Sequence, residues 1–160
     1  MNPIFPSLSS QQAPSVNRFI DEMNQRGMTW TRSKTKDLIY TCTKPPHKKT
    51  IVKLTVDKQG QVLLWLRFSA TQNYSAFFNS KLIETLEEDG YKYSGCYPGC
   101  KECDPPIGYQ VQTARGPLFR CYKELIKVGP IEEVPLEEAF ALIETQDVYE
   151  SALKQSKVRD

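Results

Sequence analysis

Val16, Phe19, Ile20 and Met23 lie at i, i+3, i+4 and i+7, which aligns them on one face of a helix. Ser15 can cap that helix and Gly27 can end it in a left-handed conformation, so an amphipathic helix is predicted from Pro14. Residues 1–13, with Pro3, Pro6, Ser7, Ser9 and Ser10, lack this period and read as a flexible or draped arm; residues 14–160 read as one domain. After Gly27 the period shortens to two. MTWTR and DLIYTC form a predicted strand pair, then KPPHKK interrupts, and IVKLTV and QVLLWLRF follow as a hairpin joined by Asp57-Lys58-Gln59-Gly60. In the second of these, Val62, Leu64, Leu66 and Phe68 alternate with Leu63, Trp65 and Arg67, the pattern of a central strand.

Helical spacing returns at Ser75–Asp89, where Phe78, Leu82, Ile83 and Leu86 make the buried stripe and Gly90 closes it. Gly108–Ala114 and Pro117–Tyr122 form a second predicted hairpin around Arg115-Gly116. A last helix begins near Pro135, with Glu137 and Glu138 at the positive end of its dipole and Leu136, Ala139, Phe140 and Ile143 facing inward. The predicted order is helix, four strands, helix, cysteine loop, two strands, helix. This is an α+β class: a mainly antiparallel sheet packed by about three helices, with a C-terminal, four-cysteine, zinc-ribbon-like loop and hairpin.

Composition narrows the class. A chain of 160 residues with 39% hydrophobic and 25% charged residues is neither disordered nor fibrous. It contains no apolar run near the roughly 20 residues needed to cross a bilayer. The stretch MNPIFPSLSSQQAP has neither a basic n-region nor an apolar h-region, so a cytoplasmic location without membrane contact is expected. The net charge of +2 hides an asymmetry: residues 1–80 carry 11 Lys and Arg against 4 Asp and Glu, while residues 81–160 carry 10 against 15. A basic N-terminal half admits a nucleic-acid partner. Lys44, Lys48 and Lys49 could then touch phosphate while Trp30, Tyr40 and Trp65 stack on bases, although strand aromatics usually belong to the core.

Cysteines carry the chemistry. GCYPGCKEC holds three of the five, and FRCY supplies another, so Cys96, Cys100, Cys103 and Cys121 read C-x3-C-x2-C-x17-C. The fourth lies on a hairpin that returns toward the other three. Four thiolates suit Zn2+, which takes them as a tetrahedron at about 2.3 Å, and short turns present adjacent corners cheaply. Gly95 and Gly99 permit the tight bends, and Lys92, Lys101, Arg120 and Lys123 can offset the negative charge of such a centre. If all four ligands come from the protein, no position is left for water or substrate, so such a zinc site would be structural. Residues 95–123 would be the metal-binding element, and a reducing cytoplasm disfavours disulfides among them. Cys42, within YTCT, reads as a small buried hydrophobe.

Two enzymatic readings compete. C-x3-C-x2-C resembles the cluster motif of radical SAM enzymes, whose three cysteines hold a [4Fe-4S] centre; Glu102 replaces the aromatic residue usual before the last cysteine, and only 57 residues follow Cys103. Cys100-Lys101-Glu102-Cys103 has the spacing of thiol oxidoreductases, but Asp104-Pro105-Pro106 removes the helix that normally activates the first thiol. The longer string from Gly95 to Ile126 resembles the C-terminal motif of small, uncharacterised bacterial proteins, with a similar cysteine cluster, a GY-containing strand, an FRC-x-x-ELI strand and a closing helix. That resemblance implies a shared fold feature without an assigned activity.

His47 is the only histidine, and in KPPHKK it reads as a surface loop residue, which argues against a Cys-His or Ser-His-Asp catalytic set. Nucleotide-binding and nucleophile-elbow motifs are missing from the sequence. The sequence therefore predicts a non-enzymatic, zinc-stabilised module that meets a protein or other macromolecule.

Overall fold

The computed structural model describes residues 8–35, 38–45, 47–87, 108–114 and 116–159. Helix α1 (Ala13–Gln25) leads into strands β1 (Thr29–Arg32), β2 (Ile39–Thr43), β3 (Thr50–Val56) and β4 (Val62–Leu66). Helix α2 (Ala76–Glu87) follows, then the hairpin β5 (Gly108–Thr113) and β6 (Gly116–Cys121), strand β7 (Ile126–Pro130), a 3-10 turn (Ile131–Glu133) and helix α3 (Leu136–Arg159). The main sheet is antiparallel with the order β1-β2-β3-β4-β7, and β5-β6 is a separate two-stranded sheet. The α+β class read from the sequence is the class observed.

The stripe Val16, Phe19, Ile20 and Met23 is buried as predicted. The helix starts earlier than predicted, however: Ala13 opens it, Pro14 sits in its first turn, and Ser15 is inside it instead of capping it. Pro14 explains the shift, since its fixed φ suits the first turn and its missing N–H costs nothing there. The described part of the N-terminal arm is draped on the body. Leu8 packs against the core, and the Gln12 side chain accepts the Val62 N–H at 2.8 Å while donating to the Gly60 carbonyl at 3.3 Å. The β3–β4 turn is closed by Asp57, whose carboxylate accepts the N–H groups of Gln59 and Gln61 at 2.9 and 2.8 Å. Gly60 takes φ +80°, a conformation its lack of Cβ makes cheap.

Cross-strand register divides the main sheet into two faces. Cys42, Val52, Leu54, Leu64 and Leu66 are fully buried on the inner face, in one core with the apolar residues of α1, α2 and α3. Phe19 meets Phe140 at 5.7 Å between ring centroids, joining α1 to α3. Phe68, just past β4, is packed edge-on by Tyr74, Phe78 and Tyr109 at 5.1 to 5.5 Å, which ties α2 and the β5-β6 hairpin to the sheet. Tyr109 is fully buried, and burial pushes its phenol pKa up. It accepts the Phe68 N–H at 3.1 Å and donates to the Glu124 carbonyl at 2.7 Å. Tyr109→Phe keeps the ring and orphans both backbone groups; chemical denaturation is expected to show a loss of about 1–3 kcal/mol.

Strand β7 is absent from the predicted order. Ile126 and Val128 are buried in it, and it adds antiparallel to β4, making β4 an interior strand. The pairing shifts register between Leu64 and Trp65, opposite Gly129 at φ +118°. A five-residue strand that ends in Gly-Pro and carries a bulge has too few alternations to be read from its own pattern.

Candidate metal centre

Cys121 ends β6, and its place is fixed by the residues around it. Its register partner is Gly108, five residues past Cys103 in the chain. Its neighbour Arg120 is ion-paired with Glu124 and reaches the Thr85 carbonyl, in the last turns of α2, at 3.5 Å. The next three carbonyls are each held from elsewhere: Tyr122 by the Ser69 hydroxyl at 2.8 Å, Lys123 by the Arg67 guanidinium at 2.7 Å, and Glu124 by the Tyr109 hydroxyl. Cys121 is thus anchored to the end of β4, with α2 ending on one side and β5 beginning on the other.

Cys121 is buried at the end of the hairpin. Alternation along β5-β6 puts Tyr109, Val111 and Arg120 on one face, with Tyr109 and Val111 in the core. Gly108, Gln110, Gln112 and Cys121 lie on the other. Gln110 and Gln112 are exposed there, yet Cys121 is only 6% exposed and Gly108 is buried. Cys96, Cys100 and Cys103, along with Lys92 and Lys101, lie outside the described residues. No group of three or more metal-ligating side chains occurs among the described residues. Cys42 belongs to the core of the inner face, where burial pushes its thiol up to about 12; it stays protonated and is suited to neither metal binding nor attack.

His47 corrects the sequence reading. Instead of a surface position it is 6% exposed, and its Nε2 lies 2.8 Å from Asp147 Oδ1 on α3. The Lys49 N–H donates to Nδ1 at 3.0 Å, so Nδ1 is the acceptor and Nε2 carries the proton given to Asp147. Lys44 Nζ bonds the other Asp147 oxygen at 2.7 Å. Burial works to raise the Asp147 pKa, but the hydrogen bonds from Lys44 and His47, and their charge, hold it below the usual carboxylate range. Lys48, between His47 and the Lys49 N–H that caps its ring, adopts φ +56°. With both ring nitrogens engaged, the imidazole ties a strained loop to α3 and has no free nitrogen to act as a base.

The aromatic trio named from the sequence is split by the sheet. Trp30 and Tyr40 pair with Cys42 and Leu54 on the inner face, while Trp65 pairs with Lys53 and Lys127 on the outer face. From Trp65 a cleft of about 390 Å³ runs between β7 and α2, lined also by Lys81, Glu84, Arg120, Leu125 and Lys127. A smaller cavity of about 200 Å³ lies beside His47, with Lys49, Tyr122, Glu150 and Lys154 in its wall. Glu150 there is held by Gln146 at 3.2 Å and Arg67 at 3.5 Å. No helix among the described residues is long and apolar enough to cross a membrane. No protein-family model, curated protein or solved structure matches the chain.

Proposed function

We propose that this chain is a non-enzymatic cytoplasmic interaction module in which one structural Zn2+, held by Cys96, Cys100, Cys103 and Cys121, pins the segment between α2 and β5 to the body of the domain. The observation that carries the reading is Cys121: buried on a hairpin face where Gln110 and Gln112 are exposed, paired with Gly108 five residues past Cys103, and anchored through three consecutive carbonyls. A ligand so held loses little freedom on binding metal, which favours affinity. The Arg120–Thr85 contact sets the last turns of α2 against the same strand, on the hairpin face opposite Cys121. Four protein thiolates leave the metal no open position, and the engaged nitrogens of His47 supply no base to replace one.

The test is metal content with an absorption spectrum, on protein purified under reducing conditions without added zinc. About one equivalent of zinc in a colourless protein is expected. Absorbance near 400 nm with iron would replace this reading by an iron-sulfur enzyme. Metal-free protein with a reversible Cys100–Cys103 disulfide would replace it by thiol redox chemistry.

A further inference from the structure

The outer face of the main sheet carries one continuous row in register across all five strands: Thr31, Thr41, Lys53, Trp65 and Lys127. The row beside it is Ile39, Thr55, Leu63 and Pro130. Two lysines and no carboxylate stand in these rows. The carboxylates near the adjoining cleft are already engaged, Glu84 by Lys81 and Glu124 by Arg120. Trp65 is partly exposed between the two lysines, and its indole is fixed by donation from Nε1 to Thr55 Oγ1 at 3.0 Å. Lys53 Nζ sits 4.0 Å from the Trp65 ring centroid and has no ion pair among the described residues; burial holds its pKa below the usual value. Lys127 is exposed and likewise has no ion pair among the described residues. A poorly solvated ammonium resting on an oriented aromatic ring is a cation awaiting a stronger anion.

We propose that this face binds single-stranded nucleic acid: Lys53 Nζ leaves the Trp65 ring for a phosphate, a base stacks on the ring in its place, and Lys127 holds the phosphate on the other side. The proposal rests on the reading of the chain as an interaction module and names its partner; it does not depend on the zinc. Strands lie about 4.8 Å apart, so the two lysines flank the indole closely enough to meet phosphates on either side of one stacked base. An acidic peptide would satisfy the lysines but make no use of the fixed indole. A duplex offers no unpaired base to it.

The chain has two tryptophans, so Trp30→Phe leaves Trp65 as the reporter. Trp30 Nε1 is buried without a partner among the described residues, so its removal breaks no hydrogen bond among them. Titration with an oligothymidylate of about 12 nucleotides at low ionic strength is expected to quench the emission, with affinity falling as salt rises. Trp65→Leu should weaken binding roughly 5- to 100-fold. Lys127→Glu, at an exposed position, should weaken it several-fold with an unchanged melting temperature. The proposal fails if no quenching occurs, if folded Trp65→Leu or Lys127→Glu protein binds like the parent, or if oligoglutamate or duplex DNA binds as tightly. Zinc measured in the same samples separates the two readings. Failure to bind with zinc retained removes only the nucleic-acid face, and binding by zinc-free protein removes only the metal centre.

Discussion

Cys121→Ser is expected to strip the protein of its metal, taking zinc from about one equivalent to a small fraction after dialysis under reducing conditions. The serine hydroxyl is a hard, protonated oxygen in place of a thiolate, and three remaining cysteines would leave the tetrahedron open. Zinc-site free energies of order 10 kcal/mol at neutral pH are consumed largely in ordering the chain around the metal. Loss of about 3 kcal/mol or more of net stability, roughly a 5–10 °C fall in melting temperature, is therefore expected for a domain of this size. Cys42→Ser supplies the contrast. Its thiol lies in the core of the inner face, pushed up to about 12 by burial, so the variant should lose some stability and keep its zinc. Equal loss of metal from both variants would show that the four ligands have been wrongly chosen. Full zinc retention by Cys121→Ser would remove Cys121 from the site.

The parts of this fold that were legible in the sequence are those whose causes are local. The α1 stripe, the Asp57–Gly60 turn and the alternation in β4 each follow from residues within one or two turns of each other, and each is where the pattern puts it. Strand β7 was not legible because its partner is the edge of β4, some sixty residues earlier, and its own signal is broken by Gly129 and Pro130. His47 fails for a similar reason: flanked by prolines and lysines it looks solvated, and its burial is decided by Asp147, which lies 100 positions away. The face of Trp65 follows from the alternation in β4, but that of Trp30 depends on its pairing with Cys42, since the four-residue β1 is too polar to show an inner side of its own. For the proposed metal centre, the four candidate ligands come from the sequence alone, and Cys121 is the one among the described residues. The structure adds the anchoring of Cys121, which no spacing rule contains.

Asp147→Ala is expected to be the most damaging of the polar substitutions. Its carboxylate is 14% exposed and takes charge-assisted bonds from Lys44 on one oxygen and from the buried imidazole of His47 on the other. Without it, the His47 Nε2–H is left with no acceptor in a site 1% open to solvent, and the Lys44 ammonium loses its counterion. A cost of roughly 2–4 kcal/mol follows, measurable by urea denaturation at neutral pH. The loop between β2 and β3 should also loosen, because the positive φ of Lys48 is held in place by the same imidazole. Asp147 further sets a pH dependence of defined sign. Its pKa in the folded protein lies below the ordinary value near 3.9, so its contribution is complete above that value and disappears as pH falls through the lowered one. The gap in stability between parent and Asp147→Ala should therefore be constant from neutral pH down to about 5 and narrow below about 4. A gap that persists unchanged into strong acid, or a variant within about 0.5 kcal/mol of the parent at neutral pH, would show that this cluster does not hold the loop to α3.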